Sequence, residues 1–216
     1  MMSVINVIIE PQKVFEHIKE KDDWWIPFII VILISFLFLW ISSPAVNRLL
    51  AEKMAEVGVS KEFSKAAEII KYIVVPITSF IGFLILSLII WLLGNLFGGD
   101  WDFVKALDLY AYSSITQVLR TLLNIITILI RGTPNIVTLK DLNVATGLNL
   151  FFNPQNPKLY ALFSGIEAFT IWQFTLISFG VSQVSGVSKK KGVWVGVISY
   201  IISLGFSVIF AKKEIM

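Results

Sequence analysis

The chain has 216 residues, 56% hydrophobic and only 15% charged, with a mean hydropathy of +0.79, a balance that does not suit a soluble domain and points to the bilayer as solvent. The net charge of +3, from 18 Lys and Arg against 15 Asp and Glu, is too small and dispersed to argue for nucleic-acid binding. With no Cys, disulfides, thiolate catalysis and Cys-ligated metals are excluded, and a lone His17 gives no basis for an imidazole zinc site.

Residues 1–20 lack a basic segment followed by an apolar core and a small-residue cleavage site, so no secretory signal peptide is expected. From Pro11 to Glu20, a proline at a helix start precedes Val14, Phe15 and Ile18 set among Lys13, Glu16, Lys19 and Glu20. That pattern predicts a short amphipathic helix, lying on the membrane surface or solvated.

A helix needs about 20 apolar residues to cross the hydrocarbon layer, and five runs qualify, predicting an all-α bundle of five transmembrane helices in a single domain. The first covers residues 24–42, with Trp24, Trp25 and Trp40 where interfacial aromatics belong. Acids and lysines then alternate through 51–71, reading as a charge-balanced helix in water or capping the bundle, with Gly58 as its interruption. The second run, 72–97, carries Pro76 near its start and ends at Gly98-Gly99-Asp100. The third is 106–130.

The longest connection follows, opening at Gly132-Thr133-Pro134 and closing at Pro154 and Pro157, and it reads as either a surface cover or a partly inserted segment. The fourth run is 159–184. The fifth, 193–210, is bracketed by Lys189, Lys190 and Lys191 before it, a helix anchor or a contact for anionic lipid, and by Lys212 and Lys213 after it. Counts of Lys and Arg on the two sides leave the orientation near even.

An ionisable residue inside a span is a functional hypothesis by default. In the third run Ser113, Gln117, Arg120, Asn124 and Thr127 recur at steps of 4, 3, 4 and 3, which puts them on one helix face. In the fourth, Tyr160, Ser164, Glu167, Thr175, Ser178 and Ser182 follow the same rhythm. Arg120 precedes the end of its run by about ten residues and Glu167 follows the start of its own by about eight, roughly 15 and 12 Å at 1.5 Å per residue. The two charges thus match in depth between antiparallel helices, and an Arg120 to Glu167 ion pair facing the bundle interior is expected. Such a pair either fixes helix register or marks a hydrated cavity or ligand site.

Other acids carry weaker signals. Asp22 and Asp23 read as a cation site or as ordinary complements to a helix start, and Asp100, Asp102 and Asp108 as a carboxylate cluster or a turn leading into a helix. No metalloprotease, nucleophile-elbow, phosphate-loop or dinucleotide motif is present, so no enzyme, cofactor or metal is expected.

Several landmarks together resemble the Ypt-interacting-protein (Yip) family of five-span membrane proteins, in its prokaryotic branch. The opening is Glu10-Pro11-Gln12-Lys13-Val14-Phe15 with Ile18 and Trp25-Ile26-Pro27. The central signature is Leu93-Gly94 and Gly98-Gly99 followed by Phe103, Ala106 and Ala111-Tyr112. The closing one is Ala168 to Gln173, Gly180 and Val184-Ser185-Gly186-Val187. Ser114, Ile115 and Thr116 stand where the family usually has Pro, which puts a kink-dependent mechanism there in doubt.

The resemblance implies a cytoplasmic N-terminus, here in a prokaryotic cytoplasmic membrane. Eukaryotic relatives are linked to Rab-type GTPases and vesicle traffic. The arm before the first span reaches only Asp23, so small-GTPase binding transfers poorly. The leading expectation is a non-enzymatic membrane organiser or scaffold acting through lipids, other membrane proteins or a second copy of itself. The alternative is a small transporter or channel with a polar path around Arg120 and Glu167, and an intramembrane enzyme is third.

Overall fold

The computed structural model describes residues 4–56, 61–151 and 156–211, without the side chains of 61–69, and among them every regular element is a helix. In chain order these are α1 (Asn6–Ile9), α2 (Pro11–Glu20), α3 (Trp25–Glu56), α4 (Lys61–Leu96), α5 (Phe103–Ser113), α6 (Ile115–Arg131), α7 (Pro157–Gly165), α8 (Ala168–Val184) and α9 (Lys189–Ile209). Short 3₁₀ turns at Thr133–Asn135, Leu139–Leu142 and Leu148–Leu150 organise the long connection.

Four helical stretches are long and apolar enough to cross a membrane: Trp25–Glu56, Ile70–Leu96, Phe103–Arg131 and Lys189–Ile209. Continuous hydrophobic runs produce them, since in hydrocarbon only a helix pairs every backbone group within its own segment. The run expected at 159–184 is not one continuous helix. It breaks at Ile166 and Glu167 into α7 of 9 residues and α8 of 17.

The core is built where α5, α6, α8 and α9 meet, and α8 packs most extensively on α9. Gly192 and Gly196 make that contact close. A Cβ on Gly192 would sit 2.5 Å from the Ser178 carbonyl oxygen, and one on Gly196 would collide with the Ser178 hydroxyl. Small residues four apart let backbones approach in a medium that offers no hydrophobic drive between helices.

Helix α2 begins at Pro11 with Val14, Phe15 and Ile18 buried, and it packs on α8 and α5. The apolar face expected on a membrane-surface or solvated helix is therefore packed on protein. Gly180 of α8 makes room for it, because a Cβ there would stand 3.0 Å from a Phe15 ring carbon and closer still to Leu109. The arm is fastened by polar bonds as well. Asp23 accepts from the Tyr112 hydroxyl at 2.9 Å and pairs with His17 Nε2 at 2.7 Å, while its backbone N–H donates to Asp108 at 3.0 Å. Asp22 forms an ion pair with Lys105 at 2.8 Å, and Asp102 caps α5 by accepting from the Lys105 N–H.

Helices α3 and α4 form a long hairpin. Lys71 and the Tyr72 hydroxyl both donate to Ser43 Oγ, at 2.7 and 2.9 Å. Pro44 and Pro76 are accommodated inside the two helices. Gly58, read as an interruption, lies outside the described residues, as do Pro154, Lys212 and Lys213 and the charged side chains within 61–69.

Candidate functional site

The break between α7 and α8 is the centre of the site, and several of its backbone groups find partners outside the local helix. The Gly165 carbonyl accepts from the Tyr200 hydroxyl at 3.1 Å, and the Ile166 carbonyl accepts from Leu148 N–H at 3.1 Å. Phe169 and Thr170 N–H, in the first turn of α8, both donate to the Glu167 carboxylate, at 3.1 and 2.7 Å. Glu167 is thus the N-cap of α8, where a negative charge also complements the helix dipole. The Thr170 hydroxyl and the Thr146 hydroxyl, the latter at 2.9 Å, donate to the same carboxylate. Four donors surround a carboxylate that is fully buried.

The long connection reaches into the break. Gly147 bridges to Glu167, so close that a Cβ on Gly147 would lie 2.5 Å from the Ile166 carbonyl oxygen. Asn124 of α6 accepts from Val144 N–H at 2.8 Å and donates to the Asn143 side chain at 3.2 Å. At its outer end Arg48, from the extension of α3, donates to the carbonyls of Thr133, Pro134 and Ile136. Buried Ile136 and Leu142 pack with Ala45 and Ile128. The connection is a segment folded back against α3, α6 and the start of α8.

Arg120 Nη1 stands 3.9 Å from Glu167 Oε1, a charge contact longer than a hydrogen bond. Its Nε is buried without a partner, as are Asn149 Oδ1 and Ser164 Oγ. All three residues line one cavity of about 100 Å³, together with Asn143, Thr146 and Tyr160. A second cavity of about 470 Å³ shares Asn143, Asn149 and Tyr160 with it and adds Thr127, Arg131, Lys140 and Asp141. Lys140 Nζ stands 4.4 Å above the Tyr160 ring, a cation on an aromatic face.

Asp141 is the acid of the outer cavity. Burial pushes its carboxyl up, but donation from Thr138 N–H, the Thr138 hydroxyl and Val137 N–H, with the charge of Arg131, more than offsets this and holds it below the usual value of 3.8. The Glu167 carboxylate is thus bonded at both oxygens and Asp141 at Oδ2, whereas Arg120 retains an unpartnered Nε donor.

The remaining seam residues divide among different partners. Gln117 donates to Thr170 at 3.3 Å and to Gln173 at 3.0 Å, and Gln173 donates to Ser114 at 3.0 Å, closing the bundle below Arg120. Ser113 is buried with an unpartnered hydroxyl, and Thr127 bonds back to the Leu123 carbonyl. On α8 the expected continuous seam is lost, because the break resets the helix register: Ser178 bonds its own turn against α9, and Ser182 donates to the Val187 carbonyl. Trp24 packs at a tilt against Phe28 and Phe83, Trp25 is half exposed, and Lys189, Lys190 and Lys191 are exposed at the start of α9. Among the described residues no group of three His, Asp or Glu side chains could hold a metal.

Arg48, Thr146 and Gly147 were missed by sequence reasoning. Only Gly147, amid polar residues in a long connection, offered a signal.

This architecture defines a helical membrane protein in which a broken helix and a folded-back connection enclose polar groups. Residues 5–211 match the Yip1 domain, and the chain belongs to the Yip1 family. It is 29% identical over 220 residues to "Membrane protein YknW" of Bacillus subtilis (strain 168), an alignment covering 97% of this chain and 88% of that one. No solved structure matches it. The family stretches meet in space: Phe15, Leu109 and Gly180 touch, and Asp100 N–H donates to the Ser185 carbonyl at 3.0 Å beside Gly99.

Proposed function

We propose that the protein is a non-enzymatic membrane organiser that crosses the bilayer five times and acts through contacts with lipids and other membrane proteins. In this reading α7 and α8 form the fourth crossing in series, about 40 Å of helix at 1.5 Å per residue. The N-terminus is cytoplasmic in a prokaryotic cytoplasmic membrane, with the polar side of α2 turned to the headgroups.

The observation that carries the proposal is the outer face of α4. Ile70, Ile73, Ile77, Ile81, Leu88 and Leu92 are each between 42% and 59% exposed and recur at helical spacing. They make a ridge about 33 Å long, the thickness of the hydrocarbon layer. A ridge so long and so exposed suits lateral contact.

Photo-cross-linkers placed at Ile77 and Leu88 in native membranes are expected to capture lipid or membrane-protein adducts. Absence of both, with solute flux through reconstituted liposomes, would overturn the proposal. The transporter or channel reading rests on the polar cavities. They open beside the connection, while Gln117, Gln173 and Ser114 close the other end, which favours binding over conduction. An organiser conducts nothing in the same liposomes.

A further inference from the structure

We propose that the cavity at Arg120 binds a phosphate group, carried by the headgroup of an anionic phospholipid that enters past Arg131. This deepens the lipid half of the organiser reading and rests on it.

The charge arrangement selects an anion. The Glu167 carboxylate already accepts four hydrogen bonds, two on each oxygen, so it has little need of a cation, and Asp141, which accepts three on Oδ2, shares the outer cavity with Arg131 and Lys140. Arg120 instead presents a planar fork whose Nε has no partner and whose closest acid lies beyond hydrogen-bond distance. Guanidinium groups bind phosphate oxygens through two parallel N–H donors. The Ser164 hydroxyl is unpartnered beside it and can donate a further bond.

Size points the same way. The inner cavity of about 100 Å³ equals the share of roughly three waters in the liquid, enough for a phosphate and too little for a whole headgroup. The outer cavity of about 470 Å³ takes the rest of a glycerol headgroup. The lipid source follows from the surroundings, since Leu150, which lines the outer cavity, and Phe151 beside it are 64% and 74% exposed and offer an apolar surface for acyl chains.

The test uses the full chain in detergent, with dioleoyl phosphatidylglycerol, dioleoyl phosphatidylcholine and inorganic phosphate as probes, read by native mass spectrometry and by thermal unfolding. Phosphatidylglycerol is expected to be retained at least about tenfold over phosphatidylcholine. Arg120→Lys, which keeps the charge and loses the fork, and Ser164→Ala, which changes no charge, are each expected to weaken it on the order of tenfold. Melting without added lipid serves as the folding control. Saturable inorganic phosphate binding that the same substitutions weaken would keep the phosphate assignment and transfer it to a soluble source. Equal retention of the two lipids, or retention indifferent to both substitutions in folded variants, overturns the proposal. Cross-links at Ile77 and Leu88 do not depend on this cavity, so its failure leaves the organiser reading separately testable.

Discussion

Replacing Glu167 by Gln separates a helix cap from an ion pair. One carboxylate oxygen becomes an amide nitrogen, while the other still accepts from Thr170 N–H. The amide then faces Phe169 N–H, which loses its acceptor, although the Thr146 hydroxyl can turn to accept instead. A buried N–H left unsatisfied costs about 1–3 kcal/mol, and exchanging a charged acceptor for a neutral one adds about 1 kcal/mol.

The Coulomb contribution of Arg120 is smaller. The contact is 3.9 Å long and the Arg120 side chain is 28% exposed, so it is discounted to below about 1 kcal/mol. Glu167→Gln should therefore destabilise by about 2–4 kcal/mol and Arg120→Gln by about 1 kcal/mol, with a coupling energy below about 1 kcal/mol in the double variant. Thermal or detergent unfolding in micelles measures all three. A site governed by the ion pair would make each single variant cost about 3–5 kcal/mol, with most of it recovered in the double. Equal costs for the two single variants would refute the capping argument.

Gly147→Ala places a methyl group against the Ile166 carbonyl and should cost about 1–3 kcal/mol, with hydrogen exchange rising at Leu148 N–H. His17→Ala removes a charge-assisted bond to Asp23, worth about 1.5–3 kcal/mol. It should free α2, detectable as faster labelling of a cysteine introduced at the buried Val14. Because the Asp141 carboxyl is held below 3.8, its bonds contribute fully above that pH and are lost as pH falls through the lowered value. Exchange protection at Val137 and Thr138 N–H should be flat from pH 7 to pH 5 and decline only below about pH 4, with no such decline in Asp141→Asn.

Much of the scaffold was legible because a bilayer leaves few options. Apolar runs ended by Gly98-Gly99 or by Lys189 to Lys191 have little choice but to be helices. The 4, 3, 4, 3 spacing put Ser113, Gln117, Arg120, Asn124 and Thr127 on one face, of which Gln117 bonds to α8, Asn124 to the connection, and Arg120 lines the inner cavity. The break at Ile166–Glu167 was hidden, because no proline marks it. What makes it tolerable is remote in sequence: Leu148 N–H, the Thr146 hydroxyl and the Tyr200 hydroxyl supply bonds that the local helix gives up.

Pattern reading left the Val14, Phe15 and Ile18 stripe to a membrane-surface or a solvated helix, since an apolar stripe looks the same whether lipid or protein covers it. The room left by Gly180 decides for protein. Phe15 of the opening family stretch and Gly180 of the closing one pack together beside Leu109.

Site-directed labelling of a chain without native Cys tests most directly that the Arg120 cavity is a one-ended binding chamber. A membrane-impermeant thiol reagent should modify Asn149→Cys and Tyr160→Cys from the side of the connection alone and leave Gln173→Cys unmodified from both sides. Modification of Gln173→Cys from the N-terminal side, or of Asn149→Cys from both sides, would mean a continuous aqueous path and contradict the account.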